Sequence, residues 1–336
     1  MRIDYPQTDS MNQLLESGAD MAASPIEQDH VPVSGSHNEA TRPQKRKSLS
    51  FGGLIYFVLP ALFFYLFVVV VPSLRGSVYA FTDWDGLAQD FKFVGFSNFI
   101  GAFNTKESHH AIFVTLIIAV AVTVFQNLIG LLLALGVNSK IKSRNFLRVL
   151  FFTPVVMSPV VVAYVWQFLL SPNGPVNSII SFFTAGNLKP SWLGDPNLAL
   201  ASIIIVIIWQ FAGFSMVIFL AGLQRIPEEI KEAAQVDGAT PFLVFRFVTF
   251  PLLAPALTIN LMLSMIGGLK VFDQAWVLTG GGPSGKTDTA STIIFRNAFQ
   301  YGEFGPSIAL ALILTVAIGL ISLAQYRPLL KREFKS

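Results

Sequence analysis

Long apolar runs separated by short polar breaks dominate the chain, and six of them are long enough to cross a bilayer. A spanning helix needs about 20 predominantly apolar residues. Stretches at roughly 51–72, 111–137, 146–170, 199–223, 251–272 and 306–327 meet that length. The expected fold is all-α: a polytopic membrane protein with six transmembrane helices in a domain covering 49–336. Pro154 and Pro159 fall inside the third run and predict a kink there, because each ring removes a backbone donor. Gly130, Ala134 and Gly136 give the second run small positions where another helix can approach closely. Residues 1–48 differ from the rest: they are rich in Ser, Asp, Glu, Gln and Pro and contain no apolar signal-peptide core. Such a segment buries too little surface to offset its ordering entropy and is expected to be a disordered cytoplasmic tail.

The basic residues orient the spans. Alternate flanks collect Arg42, Lys45, Arg46 and Lys47; Lys140, Lys142, Arg144 and Arg148; Arg225, Lys231 and Arg246; and Arg327, Lys331, Arg332 and Lys335. With Arg2 this places 16 of the 23 Lys and Arg residues on one side and 7 on the other. The basic side is cytoplasmic by the positive-inside rule, and six spans then put both termini there. Segments 73–110, 171–198 and 273–305 are expected outside, and 138–145 and 224–250 inside.

Composition agrees with a surface that faces lipid. The 336 residues are 53% hydrophobic and 13% charged, against about a quarter charged in a soluble domain. The 31 Phe residues fall mostly within the apolar runs. A net charge of +3 gives no reason to expect a nucleic-acid partner. The absence of Cys excludes disulfides, thiolate metal sites and cysteine nucleophiles.

The inner loop 224–250 is the most informative segment. Pro227 suits a first helical turn, and Glu228 with Glu229 favour the positive end of a helix dipole. Gly238 is a natural stop, since glycine accepts the left-handed conformation that ends helices. Thr240 is placed to cap a second helix with Pro241 at its first position, and the next span is expected to begin near Pro251. Ile226, Ile230, Ala233 and Ala234 share one face of the first helix, narrow and aliphatic. That face fits a groove on a cytoplasmic partner. A helix lying on lipid headgroups would carry more Lys, Arg, Trp or Phe than this one does.

The run EAAQVDGA at 232–239, followed by Pro251, resembles the coupling motif of ABC import permeases: Glu-Ala-Ala, a glycine a few residues on, then a proline opening the next span. The segments FTDWDG (81–86), FVGFSNF (93–99), GLLLAL (130–135), WLGDPN (192–197) and FDQAWVLTGGGP (272–283) are similar to the first permease subunit of carbohydrate-uptake systems. Together they cover nearly everything after residue 50. This resemblance implies a pairing with a second, homologous permease, two separate ATP-binding subunits beneath, and an extracytoplasmic binding protein delivering a sugar or sugar-like solute. It implies that Glu232, Ala233, Ala234, Asp237 and Gly238 couple to the ATPase, within a bacterial inner membrane. Extra N-terminal spans and a large outer domain, present in the maltose permease, have no counterpart here.

One motif points elsewhere. GGGPSGKT at 280–287 satisfies the Walker A pattern. A nucleotide-binding loop needs a strand before it, a helix immediately after it, and a metal-holding acid on another strand. The competing expectation is a glycine-rich turn leaving span five on the outer side, with Lys286 and Thr287 as loop residues near a docked binding protein.

Polar residues at mid-span are the candidates for a solute pathway, since each needs a reason to sit in hydrocarbon. They are Gln126 and Asn127 in span two, Trp209 and Gln210 in span four, and Asn260 and Ser264 in span five. Interhelical hydrogen bonding is the plainer role for any one of them. Trp166 and Trp209 are shaped to stack on a sugar ring, and Trp166 also suits an interfacial belt. Gly267 and Gly268 before Lys270 suggest space for a bulky solute, and Lys270 with Asp273 are spaced to pair along a helix. His109 and His110 have no further ligands in view, so no metal and no cofactor are expected. No reactive cluster is visible, which argues against a membrane enzyme. An ion-coupled secondary transporter is the alternative, but it would call for carboxylates inside the spans, and these lie only at their margins.

Overall fold

The computed structural model describes residues 51–88, 90–139 and 141–333. The tail expected at 1–48 lies outside the described residues, as do Lys140 and Lys335 among the basic flanks. The chain divides into two compact units, Met1–Leu59 and Pro60–Ser336, and the second contains the helical bundle. Among the described residues every regular element is helical, and the only extended pairing is a bridge between Thr82 and Phe93.

The first membrane segment joins α1 (Phe51–Tyr65) to α2 (Val71–Tyr79) through a π turn at Leu66–Val70. It runs past the expected end at 72. The hydroxyls of Ser73 and Ser77 donate back to the carbonyls of Val69 and Ser73, so polar residues continue the helix without stranding their side chains. A short α3 (Ser97–Asn104) precedes α4 (Lys106–Asn138), an unbroken helix of 33 residues. Span three is divided into α5 (Arg144–Val156) and α6 (Pro159–Leu169). Then come α7 (Pro175–Phe183) and the 29-residue α8 (Pro196–Gln224). Next are α9 (Glu228–Val236), α10 (Pro241–Leu252) and α11 (Ala254–Leu269). The order closes with α12 (Asp273–Thr279), α13 (Ala290–Phe299) and α14 (Phe304–Glu333).

Four stretches can each cross a membrane alone, and two bent pairs bring the number to six if each pair is one span. Span three is more than kinked: α5 and α6 meet at 99°. Met157 and Ser158 are both extended there, with ψ of 142° and 135°. The residue before a proline is pushed out of the helical region, and Pro159 offers no N–H to continue the ladder. The pair α10 and α11 is bent by 67°. Pro251 falls near the end of α10, just before the bend, and α11 opens at Ala254 with Pro255 in its first turn.

Helices α4, α8 and α11 form the centre, and small residues set how near they come. A Cβ on Gly130 would lie 2.5 Å from the Ser215 Cβ, and one on Gly268 would lie 2.6 Å from the Ala119 Cα. Gly136, by contrast, faces open space. Around these contacts Val114, Ile118, Ile203, Val206, Val162 and Ala275 pack into one cluster, and Ala134, Met216, Phe219 and Leu253 into another. Lipid tails are as apolar as these side chains, so the gain comes from close dispersion contact.

The segments expected as outer loops are more built than that. Residues 273–305 contain α12 and α13. Helix α12 buries Gln274, Ala275 and Leu278 within the bundle, so this part of the segment is a packed helix and not a free loop. Residues 171–198 are held by Asn177, whose amide donates to the Pro190 carbonyl (3.0 Å) and accepts from the Trp192 indole (3.0 Å). Asn98 likewise ties the carbonyls of Ala80 and Thr82 (2.9 and 2.7 Å).

Gly213 on α8 is where α5 comes nearest, since a Cβ there would overlap the Phe151 carbonyl oxygen. Gly213→Val is expected to lower the thermal midpoint of the purified protein by several degrees, consistent with an overpacking cost of about 1–3 kcal/mol, while Gly136→Val leaves it unchanged.

Candidate functional site

A cavity of about 430 Å³ lies where the break in span three meets the gap between α11 and α12. Val155 and Pro159 line it from the break between α5 and α6, and Lys270, Phe272, Asp273 and Gln274 line it from the break between α11 and α12. Gln126 from α4 and Asn260, Ser264, Gly267 and Gly268 from α11 complete the polar wall. Six of the nine pathway candidates are therefore brought to one surface.

Behind that wall the buried amides form a network. Gln126 Nε2 donates to Ser215 Oγ (2.9 Å), and Asn260 Nδ2 donates to the Ser215 carbonyl (3.2 Å). Asn127 Nδ2 donates to the Thr123 carbonyl (2.6 Å) and to Ser264 Oγ (2.8 Å), which donates in turn to the Asn260 carbonyl (2.7 Å). Both asparagines thus point Nδ2 at a backbone carbonyl, which fixes their orientation. Their Oδ1 atoms, and the Thr123 hydroxyl, have no partner among the described residues. Asn127 belongs to this supporting network and not to the cavity lining.

The remaining candidates separate. Gln210 is 0% exposed and donates to the Met157 carbonyl (3.1 Å) while accepting from Gln274 Nε2 (2.9 Å). Trp209 is 44% exposed and lines a different, apolar groove with Phe125, Phe151 and Pro154. Its ring meets Trp166 edge-on at 5.4 Å, so the two indoles pack on each other away from the polar cavity. The expected Lys270–Asp273 pair does not form. Helix α11 ends at Leu269 and α12 begins at Asp273, so the helical spacing that would align the two is interrupted. The two glycines also divide: Gly268 is filled by the α4 backbone, whereas Gly267 faces open space and leaves room in the cavity.

The segment 224–250 has the helix–glycine–helix geometry. Pro227 is the cap of α9 and not part of its first turn, which begins with Glu228 and Glu229. Gly238 turns the chain at φ +87°, and Thr240 Oγ1 caps α10 by accepting the Leu243 N–H. Ile226 is buried against the bundle, while Ile230, Val236 (87% exposed) and Phe242 are exposed. The four-residue face expected as a unit is therefore split: Ile226, just before α9, is buried, Ala234 is half-buried, and Ile230 and Ala233 are exposed.

GGGPSGKT lacks a nucleotide-binding context. Helix α12, not a strand, precedes it, and α13 starts only at Ala290. The Thr287 hydroxyl, where a nucleotide loop would hold a metal, is buried against Thr279 Oγ1 and the Gly282 carbonyl. Arg296 pins the turn, donating to Asp288 (2.6 and 2.8 Å) and to the Gly280 carbonyl (2.8 Å). The Asp288 carboxylate beside it holds the guanidinium above its already high ordinary pKa. His110 contributes a contact with the Lys286 carbonyl (3.4 Å), and no metal-binding cluster exists among the described residues.

Sequence reasoning missed Gln167, Gln274, Ser215 and the Asp288–Arg296 pair. Gln274 was hidden because its segment reads as a loop. Its signal was the apolar AWVL that follows, which marks a buried turn of helix.

The chain is thus a bundle of membrane-length helices with a polar cavity at two breaks and a capped helix–glycine–helix at one end. Residues 126–333 match the family of binding-protein-dependent transport system inner membrane components, and the chain belongs to that family. It is 34% identical to the multiple sugar-binding transport system permease MsmF of Streptococcus mutans, covering 84% of this chain and 94% of that one. It is 32% identical to the trehalose/maltose transport system permease MalF of Thermococcus litoralis, over 84% and 94%. Among solved structures it resembles a chain of a bacterial ABC transporter that imports the acidic polysaccharide alginate, with a TM-score of 0.74, 27% identity, and 83% and 95% of the two chains covered. The bacterial alginate transporter in complex with an alginate pentasaccharide-bound periplasmic protein gives a TM-score of 0.71 at 27% identity.

Removing Arg296 would leave Asp288, 5% exposed, without its counter-charge. Arg296→Gln is expected to cost about 3 kcal/mol, seen as a lower thermal midpoint and as faster proteolysis within 280–289.

Proposed function

We propose that this chain is the membrane-spanning permease subunit of an importer for a sugar or sugar-like solute, forming half of the pathway and taking its energy from a separate ATPase. The carrying observation is the segment after α8: a short helix anchored by Ile226, turned back at Gly238, and presenting Ile230, Val236 and Phe242 outward. Apolar groups at that end of the bundle suit insertion into a groove on a partner. Glu232, Ala233, Ala234, Asp237 and Gly238 are assigned this coupling role. That end is assigned to the cytoplasm on the distribution of basic residues, with both termini on the same side of a bacterial inner membrane.

The cavity at the two breaks is assigned to the solute, with Gln126, Asn260, Ser264, Gly267, Gly268 and Lys270 as its wall. Neutral amides, hydroxyls and one cation recognise the hydroxyl-rich surface of a carbohydrate. The solute named for the relatives supports this class, and the alginate complex supports an extracytoplasmic binding protein as the delivering partner. A second, homologous permease would supply the other half of the pathway and two ATP-binding subunits would lie beneath, so this subunit performs no catalysis of its own.

Glu232→Lys and Gly238→Val are expected to abolish ATP-driven uptake in membrane vesicles while insertion is unchanged. At Gly238 a Cβ would meet nothing within 4 Å, so the lesion there is in backbone conformation and docking, not in packing. Normal uptake with an assembled ATPase would remove the coupling assignment. Lys286→Ala is expected to leave ATP hydrolysis by the complex intact, and a complete loss would return the 280–287 loop to consideration as a nucleotide site.

A further inference from the structure

The half-helices on the far side of the two breaks, α6 and α12, are tied to each other more firmly than to the halves they follow. Gln167 on α6 donates to the Val277 carbonyl on α12 (2.8 Å). Val162 and Ala163 of α6, with Leu170 just past its end, pack in the same cluster as Ala275 and Leu278 of α12. Each half is joined to its predecessor by two or three residues outside any helix: 157–158 before α6 and 270–272 before α12. One directional link holds this pair to the central helix α8. The Gln210 carboxamide uses both its ends, donating to the Met157 carbonyl at one break and accepting from Gln274 just past the other. The remaining contacts with α8 are apolar and non-directional, so they permit sliding.

We propose that α6 and α12 move as one rigid body over the cavity during transport, hinged at 157–158 and 270–272, and that Gln210 is the latch holding it to α8. Gln210 is a positioning residue: it does not line the cavity. This movement rests on the reading of the chain as an ATP-driven permease, and deepens it by naming the body that moves. In the latched arrangement the freed Met157 carbonyl is satisfied at a depth where water is scarce. Release exposes that carbonyl and the Gln274 amide together, so both breaks open or neither does.

The chain contains no cysteine, so paired thiols can be introduced singly. In the assembled transporter, Gln167→Cys with Val277→Cys, joined by a short bis-methanethiosulfonate, is expected to retain at least half of wild-type uptake. Loss of uptake on cross-linking, restored by reduction, would show that the two half-helices move apart and would overturn the rigid body. Gln210→Leu is expected to raise the ATP hydrolysed per solute imported by about tenfold, and Gln274→Leu, which spares the Met157 link, by about threefold. An unchanged ratio in an assembled Gln210→Leu transporter would overturn the latch. Gln210→Met, similar in length but with no donor for the Met157 carbonyl, is expected to uncouple like the leucine; wild-type coupling in it would also count against the latch. If wild-type membranes show no ATP-dependent uptake, the permease reading itself fails, an outcome separate from all of these.

Discussion

A backbone carbonyl without a donor costs several kcal/mol in hydrocarbon, and the architecture turns on how two interruptions of the helical ladder meet that demand. An unbroken helix such as α4 satisfies itself. Where α5 gives way to α6, and α11 to α12, the ladder stops and other groups must take over. Gln210 serves the Met157 carbonyl, and Thr289 Oγ1 donates to Val271 (3.2 Å). Gln167 reinforces the Val277 carbonyl in α12. The buried Gln210 amide is therefore first a repair of broken backbone. The cavity exists because two such repairs sit side by side.

The same constraint explains why small residues cluster on the central helices. Amide side chains reach only a few ångströms, so α4, α8 and α11 must approach closely for Asn127, Asn260 and Gln126 to find their partners. Gly130 and Gly268 permit that approach. Packing and polarity are one design: the glycines bring the helices within reach, and the amides fix their register.

Much of this was legible in the sequence. Spans two, four and six could be placed by length alone, and Gly238, Thr240 and Pro241 announced the turn and cap that the structure contains. The prolines at 154 and 159 signalled a disturbance, but not a corner of 99°. A proline's local effect is known, whereas the angle it yields depends on what packs in the opening. Helix α12 was not legible because seven residues beside a glycine-rich turn are too few for periodicity to separate from loop. Lys270 and Asp273 misled for a related reason: their spacing has meaning only if the helix continues between them. Among the buried polar residues, composition marked Gln126, Asn127, Gln210, Asn260 and Ser264 as unusual. Which of them face a cavity and which mend a break is decided by helix rotation, and the near-uniform apolarity of the spans conceals that.

The length of α4 has a mechanical outcome. At 1.5 Å per residue its 33 residues reach about 50 Å, against a hydrocarbon slab of about 30 Å. A tilt of about 20° absorbs only a small part of the excess. The rod therefore stands proud of the lipid like a mast, and its first turn, Lys106 to His110, steadies the glycine turn through His110 and Lys286. The glycine turn is thus braced by a stiff post, not by a compliant strand.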